Sequence, residues 1–329
     1  MSSFSREVLA IDAPAVVAEI ENAIRAQVLG TLKRRGVVVG LSGGIDSSVC
    51  AALAVRALGK EKVFGIFMPE RASSGDSLML GRLVATHLGI DARVEEIGPG
   101  LAALGCYARQ NEAIRAVFPE YDDAGGWKCK ITLPSILDSD RLNVFVLTVQ
   151  SPTGEQRSSR MPPASFLQLV AATNFKQRVR KTIEYYHADR LNYAVAGTPN
   201  RLEYDQGFFV KQGDGAADFK PIAHLYKTQV YALAAHLGLP EEIRSRPPTT
   251  DTYSMEQTQE EFYFALPYDR MDLCLWAHNH GVDAAEVAPV VGLTEAQVSR
   301  VTRDIDGKRR TTRYLHARPL LVQPVKEIE

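Results

Sequence analysis

Apolar residues recur at three-to-four spacing from Val16 and Val17 through Ile20, Ile24 and Val28 to Leu32, which predicts a helix over 13–35. Lys33-Arg34-Arg35-Gly36 reads as its stop, with cations over the last carbonyls and then a glycine. Three β-branched residues follow, Val37-Val38-Val39, which predict a buried strand. A glycine-serine turn leads into a helix from Ser47 to Leu58 that ends at Gly59. The alternation continues with a strand at Val63–Met68 stopped by Pro69, a helix from about Asp76 to Leu88 closed by Gly89, and a strand at Ile90–Ile97. Strands and helices in this order predict an α/β protein with a doubly wound parallel sheet.

Residues 105–170 break the rhythm. Asn143–Gln150 reads as a strand, and Ser151-Pro152-Thr153-Gly154 has turn chemistry, so a hairpin inserted into the sheet fold is expected, as a lid or an oligomer contact. The α/β pattern resumes with a helix from Asn174 to about Ala188 and a strand at Tyr193–Ala196. A further helix carries Val230, Leu233, Ala234 and Leu237 on its core face. Beyond 255 the pattern is mostly helical; Thr294-Glu295-Ala296-Gln297 is a capping box. The expected division is therefore 1–255, with the insertion 105–170, and a helical C-terminal segment 256–329 packed on it.

Composition narrows the class. The chain has 329 residues, 45% hydrophobic and 23% charged, with a net charge of −1. That balance argues against nucleic acid as the main partner, even where Val290–Ile305 has the look of a helix-turn-helix. No apolar run approaches a membrane span, and no secretory signal pattern opens the chain, so a cytoplasmic protein is expected. Cys50, Cys106, Cys129 and Cys274 are widely spaced, which predicts reduced thiols rather than a zinc site or disulfides. His278, His280 and His316 read as packing or surface residues.

The candidate chemistry begins after the first strand, at Gly40-Leu41-Ser42-Gly43-Gly44-Ile45-Asp46-Ser47. Gly43 and Gly44 are expected to take positive φ and to bring bare backbone up to a ligand. Successive N–H groups and the N-terminus of the following helix form an anion site. No Lys follows the glycines, so this is not the Walker loop, and it is not the dinucleotide fingerprint. A carboxylate at Asp46 beside phosphates suits Mg²⁺. Arg71, just past the second strand, falls on the same rim as a plausible nucleotide contact. So does the loop Gly197–Glu203, where Thr198 and Glu203 suit phosphate binding and a magnesium ligand.

Ser42-Gly43-Gly44-Ile45-Asp46-Ser47 resembles the pyrophosphate loop of the ATP pyrophosphatases, which cut ATP into AMP and pyrophosphate. With Phe208-Phe209-x-Lys211-x-Gly213-Asp214-Gly215-x-x-Asp218, then Pro221-Ile222, Leu225–Val230 and Pro248-Thr249, the chain resembles NAD synthetase over roughly residues 35–255. The resemblance implies a Rossmann-like ATP pyrophosphatase fold and amidation of nicotinic acid adenine dinucleotide (deamido-NAD) to NAD. In that reaction ATP is the co-substrate, Mg²⁺ the cofactor and an acyl-adenylate the intermediate. It implies that Gly40–Ser47, Arg71, Thr198, Lys227 and Thr249 bind ATP. Asp46 and Lys227 would be catalytic, Asp46 and Glu203 would hold the metal, and Arg178, Lys211, Asp218 and Lys308 would contact deamido-NAD. Arg180 competes with Arg178 for its role.

Three departures from the family pattern stand out: unusual residues between Thr198 and Glu203, the long insertion, and a C-terminal Lys308 without the histidine that usually pairs with it. The resemblance also implies a homodimer. Residues 1–36 are too few for a glutamine-hydrolysing domain, so ammonia is expected free or from a separate glutaminase. The competing expectations are a ligase of the same chemistry acting on another carboxylate metabolite, and a non-catalytic nucleotide-binding protein.

Overall fold

The computed structural model describes residues 4–73, 75–133, 137, 145–248, 252–264 and 266–327. Its strands are β1 (Val37–Gly40), β2 (Val63–Phe67), β3 (Asp91–Val94), β4 (Lys128–Thr132), β5 (Val146–Gln150), β6 (Gln156–Arg160) and β7 (Ala194–Val195). The main sheet has the order β3-β2-β1-β7, and all its pairs are parallel. Val37, Val38 and Val39 are fully buried at its centre, as a run apolar on both faces requires. The order reverses at β1, so the loop after β1 leaves the sheet at the topological switch point, where such folds open a crevice.

One face of the sheet is covered by helices Ala13–Arg25, Ile45–Leu58, Gly75–Leu88 and Lys227–His236, which share a core with Val37 and Val39. The other face takes the 29-residue helix Pro163–Leu191, through Ala188, Ile183 and Tyr185 packed around Val38 and Val195. The first helix ends earlier than its periodicity suggests. It loosens into a π-type turn at Ala26–Thr31, and Lys33, at φ 51°, makes the stop expected of Gly36.

The inserted hairpin exists as β5–β6, turned by a positive-φ Gly154, but it is part of a three-stranded antiparallel sheet whose other edge is β4. Lys128, Cys129, Lys130 and Ile131 alternate outward and inward, with Cys129 and Ile131 buried under Leu147, Val149 and Leu169. The long helix that follows begins at Pro163, well before the expected Asn174, so the insertion has no boundary at 170. The C-terminal helices Tyr268–Asn279, Ala284–Val291 and Glu295–His316 form their own core, in which Leu202 and Tyr226 also take part. All four cysteines are free and buried. Among the described residues, no helix is long and apolar enough to cross a membrane.

Candidate active site

Leu41 extends the sheet by donating its N–H to Ile66 (2.8 Å), and the chain then turns. Ser42 Oγ accepts the Gly44 N–H at 3.2 Å, an ST-type turn. Gly43 takes φ +74°, but Gly44 lies in the extended region at φ −85°, so only one of the two glycines meets the expectation of positive φ. Each is needed differently. A Cβ on Gly43 would stand 2.7 Å from the carbonyl oxygen of Ser77 and 2.9 Å from Leu80 Cβ. Gly43 therefore lets the turn pack on the helix Gly75–Leu88. Gly44 caps Ile45–Leu58 with no side chain, leaving the first helical N–H groups to an outside acceptor. Ser47 and Ser48 hydroxyls both bond back to the Gly44 carbonyl, at 3.0 and 2.8 Å, and fix the cap.

Asp46 stands in that first turn. Its Oδ1 accepts from Asn200 Nδ2 (3.2 Å), and its Oδ2 pairs with Lys227 Nζ. Lys227 opens its own helix and is 0% exposed, unlike a lysine on a solvated helix start. Its backbone N–H and that of Thr228 are received by the Asp272 carboxylate at 3.2 and 2.7 Å. Asn200 and Glu203 form a capping box on the helix Arg201–Gln206, which turns Glu203 toward Asp46. Burial, and next the Asp46 charge, push the Glu203 carboxyl up to about 8 against the pull of Lys227. Burial alone would lower Lys227; Asp46 and Glu203 outweigh it and raise the ammonium.

With both carboxylates ionised, this spot would carry a net negative charge beside its one ammonium. Among the described residues no cluster of three or more His, Cys, Asp or Glu forms a ready-made metal cage. Mg²⁺ needs none, since it binds through one or two carboxylates and takes its other oxygens from phosphates and water. The oxygen donors of Asp46 and Glu203 fit such an ion, whose charge would favour the ionised form of Glu203.

These residues line a cavity of about 520 Å³ together with Gly40, Leu41, Ser42, Gly44, Ile45, Ser47 and Thr198. Three more cations line it: Arg180, and also Lys176 and Arg246, to which the sequence assigned no ligand. Arg180 thus takes the wall position that Arg178 was expected to compete for. Arg178, with Nε on the Lys211 carbonyl (3.3 Å), lies outside the lining. Other expected positions also lie outside it. Gly43 faces the Gly75–Leu88 helix. Arg71 pairs with Asp123 at 3.3 Å and covers the Tyr107 ring. Lys211 Nζ caps the carbonyls of Tyr314 (2.7 Å) and Ala317 (3.1 Å). Asp218 receives the Val195 N–H at 2.7 Å and the Tyr185 hydroxyl at 3.2 Å. Lys308 donates to the Tyr263 carbonyl (2.7 Å) and pairs with Asp304 (2.6 Å). Thr249 falls outside the described residues. Asn200 was legible as the partner of a capping box, Asn-x-x-Glu, although nothing in that pattern announces its bond to Asp46.

A parallel sheet whose switch-point strand feeds a glycine turn and an uncapped helix, beside two half-buried carboxylates and a buried lysine, defines an α/β protein of the doubly wound class. The NAD synthase family pattern matches residues 16–117 and 143–313, and the chain belongs to that family. It is 66% identical to an NH(3)-dependent NAD(+) synthetase of Mesorhizobium japonicum over 319 residues, 97% of this chain and 99% of that one. It is 36% identical to the Thermotoga maritima enzyme of the same description over 256 residues, 78% of this chain and 84% of the relative. Among solved structures, the fold is similar to an NH3-dependent NAD synthetase from Campylobacter jejuni, with a TM-score of 0.62, 22% identity, and coverage of 95% of this chain and 100% of that one.

Proposed function

We infer that this chain is an ATP-dependent, ammonia-using NAD synthetase, and we propose the following roles for its residues. The nicotinate carboxylate of deamido-NAD attacks the α phosphorus of ATP. The bond from that phosphorus to the bridging oxygen breaks, pyrophosphate leaves, and an acyl-adenylate remains. Ammonia then adds at the acyl carbon, AMP departs, and a proton is released. Adenylation is needed because a carboxylate anion resists nucleophiles, whereas AMP leaves readily.

The N–H groups from Ser42 to Ser47 and the helix N-terminus take the departing pyrophosphate, where negative charge grows. Lys227, fixed through Asp272 and Asp46, places a positive charge at the same point without reorganising. Lys176, Arg180 and Arg246 line the remaining cavity wall, which suits a polyanion. Mg²⁺ held by Asp46 and Glu203 would neutralise phosphate charge there. Arg178, bonded to the Lys211 carbonyl, would with Lys211 and Asp218 contact deamido-NAD shared across the boundary of a homodimer. A cytoplasmic setting, supported by the four unpaired cysteines, and a separate source of ammonia complete the proposal.

The observation that carries this reading is the meeting of the glycine turn, Asp46, Glu203 and Lys227 in one cavity. The test supplies ATP, Mg²⁺, ammonia and deamido-NAD and measures products. NAD and AMP in equal amounts are expected. AMP formed only with another acid, or no ATP turnover at all, would overturn it.

A further inference from the structure

Glu203 needs more than its cap to face the site. Its Oε2 accepts the Asn200 N–H at 3.1 Å, and its Oε1 accepts Gln259 Nε2 at 3.3 Å. The amide of Gln259 is itself oriented, because its Oε1 receives the Tyr268 hydroxyl at 2.8 Å. Tyr268 is buried, and its ring lies 5.4 Å from Lys227 Nζ. The same tyrosine therefore touches both sides of the Asp46–Lys227–Glu203 group.

The segment presenting Gln259 is held from other directions. The edge strand β4 of the inserted sheet receives it: Cys129 N–H donates to Ser254 Oγ (2.9 Å), Met255 N–H donates to the Cys129 carbonyl (3.0 Å), and Gln257 donates to the Ile131 carbonyl. Tyr253 sinks into the core under that sheet. From the long helix, Lys176, paired with Glu70 at 3.0 Å, gives a second bond to the Thr252 carbonyl (2.9 Å). None of these contacts touches the phosphate turn. Together they fix where Gln259 begins, and Tyr268 fixes which way it points.

We propose that Gln259 is a positioning residue that aims the Glu203 carboxylate into the cavity. The inserted sheet, through β4, serves as the clamp for the segment that presents it. This deepens the proposed function and rests on the reading of Glu203 as a metal ligand. Outer partners of a ligating carboxylate commonly change metal affinity 10- to 100-fold when removed. They do so without touching the other substrate.

The test measures Mn²⁺ binding to the full chain with a non-hydrolysable ATP analogue, by paramagnetic resonance, and KM and kcat separately with Mg²⁺. For Gln259→Leu we expect Mn²⁺ affinity to fall about 10-fold and the half-saturating Mg²⁺ concentration to rise in parallel. The KM for deamido-NAD should stay within about twofold. Tyr268→Phe, which removes one hydroxyl and keeps the ring, should show the same pattern at about threefold, and it decides the matter if Gln259→Leu does not fold. Wild-type Mn²⁺ affinity in both folded variants would overturn the positioning role. So would a loss that falls on deamido-NAD instead. Glu203→Gln separates the two layers. If it lowers Mn²⁺ affinity and Gln259→Leu does not, only the positioning fails. If Glu203→Gln binds Mn²⁺ normally, the metal reading fails as well.

Discussion

Asp46 is tied twice, to a buried ammonium and to a buried amide, and both ties would be unnecessary on a surface carboxylate. Asp46→Asn keeps the shape and removes the charge. We expect pyrophosphate release to fall at least about 100-fold while circular dichroism stays native; turnover near that of the wild type would refute the assignment. Glu203 gives a second, pH-dependent expectation. Its folded carboxyl titrates near 8, above the ordinary value of 4.5. A pKa raised by folding means that stability is fully present below the unfolded value and is lost as pH climbs to the folded one. Metal-free wild type should therefore weaken between about pH 4.5 and 8, and Glu203→Gln should weaken less, the remainder coming from Asp272, which burial pushes up to about 6. In melts with chelator, the variant should be more stable at pH 8.5 by about 1 kcal/mol or more and matched near pH 4.5. Equal differences at both pH values would contradict this. Asp46 and Glu203 could be picked out from their loops and Lys227 from the family resemblance, and the fold brings the three together. Arg246 belongs to a plain proline loop in a linear reading, and only the fold turns it to the cavity wall.

At the scale of elements, the phosphate turn depends on Gly43 more than on its neighbour. Gly43→Ala would force a positive φ on a residue with a Cβ and drive that Cβ against a backbone oxygen, which cannot swing aside. We expect a loss of about 2 kcal/mol or more in chemical denaturation and a raised KM for ATP; an unchanged denaturation midpoint would show that the helix Gly75–Leu88 yields easily. The strands of the main sheet were readable from sequence because fully buried parallel strands are continuous apolar runs. The helix Pro163–Leu191 was half missed for the opposite reason. It buries Lys176, Lys181, Glu184 and His187, while Leu167 is 65% exposed. Lys181 and Glu184 satisfy each other at 2.6 Å, and such buried polar residues interrupt the apolar positions Leu169, Ala172 and Ala188, which blurs the periodicity. The edge strand β4 did alternate, Lys-Cys-Lys-Ile, but over too few residues to stand out.

Across the whole molecule, the site is assembled from both ends of the chain. The sheet leads into the turn, two short helices carry Glu203 and Lys227, and the C-terminal helices supply Asp272, which holds the Lys227 backbone, and Tyr268, which holds Gln259. Sequence pattern reports which residues form a core and not which cores share a site, so the helical pattern beyond 255 gave no sign that Asp272 and Tyr268 would meet Lys227. Asp272→Ala would leave two helix N–H groups without their buried acceptor. We expect a cost of about 1–2 kcal/mol in stability and a fall in kcat greater than any change in the KM for deamido-NAD. A variant that lost stability but kept its kcat would show Asp272 to be a cap and nothing more.

The central claim is that backbone amides from Ser42 to Ser47, with Asp46 beside them, grip the portion of ATP that is expelled. A crystal structure with Mg²⁺ and an ATP analogue that cannot be cut between the α and β phosphates tests it most directly. The account predicts β and γ phosphate oxygens within hydrogen-bond distance of those amides, and Asp46 and Glu203 facing the metal. A triphosphate seated elsewhere, with the turn vacant, would contradict it.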